Sequence, residues 1–462
     1  LLRAGAGPIL SGVTASRRTL LLCLALCASR MLVLIARPLH EQGWLHLRVA
    51  GQMLDGQGLA FNPGEPWEPL WSSLAPLWSV LVAGVLSCGL DPRAGLVALQ
   101  IGCELWVLLA LGRLLTRHPQ AAFLAQAAWI CLPQLARNGI GGSEASLALA
   151  LALQAVTSRR TLLGGVWSGL AVWVRPELLL LGAVGRSQRF FLGWAVVLGL
   201  GAAACLSLGS PPPIELALEP AHVFEVWKRC FVPHVLLLPL LPLVLWGLLL
   251  AWRAGGELSA WSQVGLGWIV LQSIFPHTLY SWHFSLPWAA WCVWLAHGLG
   301  GWRSIAERQQ WLLLALGLAS LATLAVWTRS AVHARVHEPL IEWARATSRL
   351  EPRARVLASD VGALGFGWHG TVLSSEGWLW PAARRLQEFN NMLREAEPEY
   401  VLLSLERDRW RALQSDPWVR EHYQALRRFS PTDAAELEPT VDSLDPRHRA
   451  DYLLLGARGL RR

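Results

Sequence analysis

Three observations predict an α-helical polytopic membrane protein of about 11 transmembrane helices carrying a small C-terminal α/β domain. The chain of 462 residues is 53% hydrophobic and only 16% charged, whereas a soluble protein carries about 25% charged residues. Apolar runs of about 15 to 22 residues recur from Thr19 to Trp327, close to the roughly 20 needed to cross a hydrocarbon core. The stretch 328–462 is polar and charged, and long enough to build its own small core.

The expected spans, in order, are 19–36, 94–116, 119–136, 144–158, 161–174, 177–185, 190–208, 230–252, 261–275, 284–297 and 310–327. The first follows Arg17 and Arg18 and lacks a clear small-residue cleavage site, so it reads as a retained signal anchor. Basic residues are held on the cytoplasmic side. The pairs Arg17/Arg18, Arg113/Arg117, Arg159/Arg160, Arg186/Arg189 and Arg303/Arg308, with Arg253 alone, all share that side when eleven spans are counted. Residues 1–18 are then cytoplasmic, 19–327 form the membrane domain with an outer loop at 37–93, and 328–462 are extracytoplasmic. The apolar run 70–90 would invert every later Arg pair if counted, so it is expected at the outer interface or re-entrant, with Trp71 and Trp78 at headgroup level.

In the tail, 338–350 reads as a helix, and 355–359, 370–374, 400–404 and 452–455 read as short strands. Glycan or acceptor contact is the function expected there, with simple capping of the membrane part as the alternative. Gly362-Ala363-Leu364-Gly365 lacks the third glycine of a dinucleotide loop.

Net charge is +8, and Lys228 is the lone lysine. The basic residues form short pairs between apolar runs and no continuous stripe, which argues against nucleic acid. The eight cysteines fall in or beside apolar runs without a CxxC pair or a Cys/His cluster, so neither a disulfide framework nor a zinc site is expected.

With this parity the polar chemistry collects on the outer face. Its densest stretch begins at His40-Glu41-Gln42 and runs to Arg48. Trp44, Leu47, Val49, Ala50 and Leu54 fit one face of a helix lying on the membrane, stopped by Asp55-Gly56 and Asn62-Pro63-Gly64. Glu41 at its start is a candidate general base for an acceptor hydroxyl, or a cation ligand, the alternative being a helix N-terminal acid. Arg175, between a span end and Pro176, needs an anionic partner: either a phosphate or an internal pair with Glu177 or Glu144. Arg30 and Glu104 are intramembrane charges for which the sequence offers no pairing.

Leu47-Arg48-Val49-Ala50, Gly56-Gln57-Gly58-Leu59, Asn62-Pro63-Gly64-Glu65 and Glu68 follow one another at a spacing that resembles the first outer loop of the polytopic GT-C glycosyltransferases. That superfamily includes the protein O-mannosyltransferases, the lipid A aminoarabinose transferase and the mycobacterial arabinofuranosyltransferases. Gly141-Gly142-Ser143-Glu144, Val174-Arg175-Pro176-Glu177, His283-Phe284-Ser285-Leu286-Pro287 and the tail segment 356–366 resemble later segments of the arabinofuranosyltransferase/mannosyltransferase-like branch. Departures are Glu41-Gln42 where the family has an acidic pair, Val49 for an aromatic, and His283 for Arg.

The resemblance implies an inverting enzyme in the cytoplasmic membrane of a bacterium. It would move a sugar from a polyprenyl-phosphate donor to a hydroxyl of a glycan, lipid or protein at the outer face. Glu41 would be the base; Arg175, Arg48 and His283 would bind the donor phosphate; Glu144, Glu177 and Gln42 would position the acceptor or a cation. No cofactor is fixed, a divalent cation (Mg or Mn) being compatible with the acids. The alternative is a degenerate relative that binds polyprenyl lipid or glycan as an assembly partner.

Overall fold

The chain is described from a computed structural model, which covers residues 19–32, 39, 41–63, 75–206, 226–227, 230, 240–274, 284–300, 337–358, 361–375, 386, 388–404, 413, 416–429 and 452–458. The expected span 310–327, the loop acids Glu65 and Glu68, and His283 lie outside these residues. The helices in chain order are α1 Thr19–Leu32, α2 Glu41–Leu54, α3 Pro76–Leu86, α4 Pro92–Leu114, α5 Pro119–Cys131, α6 Pro133–Ile140, α7 Ala145–Thr157 and α8 Leu162–Val174. After a 3₁₀ segment Pro176–Val184 come α9 Gln188–Leu206, α10 Leu241–Ala254, α11 Gly256–Ile274 and α12 Ser285–Gly300. The tail contributes α13 His337–Leu350, β1 Val356–Ala358, α14 Gly362–Gly367, β2 Val372–Ser374, β3 Tyr400–Ser404, β4 Tyr423–Phe429 and β5 Tyr452–Ala457.

The chain is mostly helical, but the expected count of about 11 membrane helices is not supported. Among the described residues one helix, α4, is long and apolar enough to cross a membrane. Proline accounts for one expected span, because it removes a backbone donor and restricts the residue before it. The run 119–136 is split at Pro133, with Leu132 extended at ψ 114°. The expected spans 161–174 and 177–185 are α8 and nine residues of 3₁₀ helix, divided at Pro176 with Arg175 extended.

Two units divide the chain: 1–36, 97–204 and 213–325 in one, and 37–96, 205–212 and 326–462 in the other. In the first, helices approach through glycine. A Cβ on Gly169 of α8 would lie 2.6 Å from the Val197 side chain of α9, and one on Gly165 or Gly193 would strike backbone of the facing helix. Gly247 of α10 and Gly298 of α12 form a second such crossing. The outward positions are apolar, among them Leu163, Leu192, Val196 and Leu200.

In the second unit the sheet order is β2-β1-β3-β5-β4, parallel from β2 to β3 and antiparallel beyond. Leu357, Val401, Leu403, Leu453 and Leu455 build its core with Phe389, Met392 and Leu393. The edge strand β4 was not expected, because Arg427 and Arg428 mask its pattern. Helix α2 is not an amphipathic surface helix as expected: Trp44, Leu45, His46, Leu47, Arg48, Val49 and Ala50 are all buried. It packs between α3 and α14. Trp78 of α3 is fully buried, and its neighbour Ser79 meets His46 Nδ1 at 3.0 Å.

Candidate functional site

Helices α7 and α8 are each 13 residues long and joined by a short turn, so the start of one and the end of the other share one end of the hairpin. The sequence marks that end with small residues: Gly142 sits at φ 94°, a left-handed conformation open to glycine. Glu144 is the N-cap of α7 and Arg175 the C-cap of α8. Both are buried, and Arg175 Nη2 pairs with Glu144 Oε1. Arg175 Nη1 lies 3.8 Å from Glu177 Oε1, a looser contact. Glu177 Oε2 is buried without a hydrogen-bond partner. Of the two readings open for Arg175, the internal pairing is therefore formed, and with both acids.

Gln100 holds this corner and was missed. Its Oε1 accepts from Gly142 N at 3.0 Å and its Nε2 donates to Ser143 O at 3.0 Å. An amide inside the apolar run of α4 was the available signal. Asn138 Nδ2 donates to Ser285 Oγ at 3.0 Å, which ties the residue two after His283 to α6.

The opposite end of the hairpin is basic. Arg186 N donates to Arg159 O at 3.0 Å and Ser187 Oγ to Arg160 O at 2.8 Å. Burial, then the charges of Arg186 and Arg160, push the Arg159 guanidinium below its usual range. With the Gln154 amide turned so that its oxygen accepts, Arg113 Nη1 donates to it at 3.2 Å, so α4 ends at the same level.

Arg30 and Glu104, unpaired in the sequence reading, form a fully buried ion pair at 2.7 Å. Trp129 Nε1 donates to the same carboxylate at 3.0 Å, Ser146 Oγ bonds its other oxygen, and Arg30 Nη1 donates to Ile130 O at 3.0 Å. Every strong acceptor and donor of the pair is used, which marks it as structural.

In the other unit Arg48, expected at a donor phosphate, is engaged by five neutral oxygens among the described residues. It donates to the carbonyls of Phe61 (2.6 Å), Gly365 (2.5 Å), Trp368 (2.5 Å) and Gly370 (2.9 Å), and to Asn62 Oδ1 (3.3 Å). Asn62 meanwhile bonds β2 at two points, Nδ2 to Val372 O at 2.8 Å and Oδ1 from Val372 N at 2.9 Å. Asn62 is thus a structural clasp joining the loop to the tail sheet. Glu41 opens α2. Gln42 follows, half-buried, with a buried Oε1 that has no hydrogen-bond partner.

Glu144 and Glu177 already face a guanidinium, so this donor set does not fit a divalent cation. Among the described residues no group of three or more His, Cys, Asp or Glu side chains gathers elsewhere. No protein-family model matches the chain, and no characterised protein matches it.

Proposed function

We propose that the chain is a polytopic membrane glycosyltransferase of the GT-C type, transferring a sugar from a polyprenyl phosphate to an acceptor hydroxyl at the outer face of a bacterial cytoplasmic membrane. The observation that carries the reading is the buried corner Glu144–Arg175–Glu177, set at the hairpin end opposite the arginine turns. Arginines at one end and chemistry at the other is the arrangement expected of an exported active site. The inverted polarity of the first unit supports its membrane setting: large apolar side chains point outward, an ion pair is fully buried, and helices meet through glycine.

In this reaction the bond from the anomeric carbon to the phosphate oxygen breaks, a glycosidic bond forms, and the acceptor proton passes to the Glu41 carboxylate. Arg175 takes the leaving phosphate by exchanging Glu177, its looser partner at 3.8 Å. The tighter pair with Glu144 keeps the guanidinium oriented. Arg48, engaged by five oxygens, acts by fixing the loop and not by touching phosphate.

The second reading is a non-catalytic relative that binds polyprenyl lipid or glycan. Two observations favour it: Gln42 in place of a second acid, and the full engagement of Arg48. Label transfer from radiolabelled polyprenyl-phosphate sugars, in membranes carrying the wild-type chain or Glu41→Gln, separates the two. Transfer that disappears in Glu41→Gln supports the enzyme; retained lipid binding with no transfer from any donor supports the binder.

A further inference from the structure

The second unit holds a cavity of about 470 Å³ that the transfer chemistry does not use. One wall is the end of α2 and its following turn, with Gln52, Asp55 and Gln57; the facing wall comes from the tail, with Arg353, His369 and Thr371. Gly56 and Gly58, both at φ 77°, let the chain reverse, and Gln57 N donates to Gln52 O at 2.8 Å, so Gln57 is held against the helix end. Asn62 and Gly370 also line the cavity, and both belong to the Arg48 clasp. The two walls are therefore fixed against each other by buried bonds.

The volume lies in the range of small-molecule pockets, about 300–1,000 Å³, but such pockets are mostly apolar. Here the apolar share comes from Pro63 and Pro352. Amide, carboxylate, guanidinium, imidazole and hydroxyl groups supply the rest, a mixture of donors and acceptors suited to a ligand that is both at every position. Asp55 offsets Arg353, so no net charge selects an anion or a cation.

We infer that this cleft binds an uncharged saccharide, a site that stands independently of the glycosyltransferase reading. The test uses the purified full chain in lipid nanodiscs without donor lipid, with mannotriose, maltotriose and chitotriose as probes in saturation-transfer NMR. At least one trisaccharide receives saturation, and the double variant Asp55→Ala/Gln57→Ala weakens it by about tenfold or more, the loss of one neutral and one charge-assisted hydrogen bond. Arg353→Ala does the same from the facing wall. All three positions are exposed, so these truncations leave the fold intact, which an unchanged melting temperature verifies. No saturation of any trisaccharide, or saturation indifferent to both variants, overturns the inference. Because donor is absent, a chain inactive in label transfer still reports on the cleft, and an active chain that ignores trisaccharides condemns the cleft alone.

Discussion

Arg30 and Arg48 are both buried guanidiniums, 0% and 5% exposed, and the two units neutralise them differently. In the helical unit Arg30 meets one carboxylate, itself buried, with an indole and a hydroxyl completing the shell. In the α/β unit, among the described residues, Arg48 spreads its charge over four main-chain carbonyls and an amide. A carboxylate partner makes a point-to-point link between α1 and α4. Carbonyl partners instead read the path of a chain, so Arg48 enforces the fold of a loop across more than 300 residues of sequence.

The difference predicts unequal responses to losing one partner. Glu104→Leu leaves Arg30 buried without a counter-charge and costs about 3–5 kcal/mol, while adding Arg30→Leu recovers most of that loss. Unfolding in detergent micelles measures both; a Glu104→Leu chain as stable as wild type would break the contrast. Arg48→Ala strands several buried carbonyls at once but leaves no lone charge, so it costs about 2–4 kcal/mol, read as unfolding of the second unit and faster proteolysis at residues 55–63. Gly139→Ala sharpens the first case, because its Cβ would stand 2.5 Å from the Glu104 carboxyl carbon. Overpacking there costs about 1–3 kcal/mol.

The smallest effect is alkaline. Burial first, then Glu351 nearby, raises the Tyr400 phenol from 10.0 to about 12. The folded state then holds that proton more tightly than the unfolded chain. Its stabilisation is whole below pH about 10 and is lost as pH rises through about 12. Tyrosinate absorbance in wild type and Tyr400→Phe follows this, the variant losing one late-titrating phenol while Tyr423, also raised by burial, remains.

Local signals were legible. The turn after α2, the tail helix and four of the five strands follow from turn residues and alternation, and the Arg175 corner was marked by a charge beside proline. Long-range pairing was not. Arg30 and Glu104 are 74 residues apart, and nothing in either helix names the other. Arg48 looked like an anion site because its partners are carbonyls, which every residue carries and no sequence pattern displays. Helix α2 was placed at a surface because periodicity cannot tell a lipid-facing stripe from one buried on all sides. The strand β4 was lost for the converse reason, two arginines outweighing its alternation.

Sidedness of the membrane loops is the decisive measurement. In a background with the exposed Cys88 replaced by Ser, Gln57→Cys and Arg160→Cys are reacted with a membrane-impermeant maleimide on intact cells. Both positions are exposed. Gln57→Cys labels on intact cells, and Arg160→Cys labels only after permeabilisation. Labelling of Arg160→Cys from outside, or of Gln57→Cys only from inside, contradicts this sidedness.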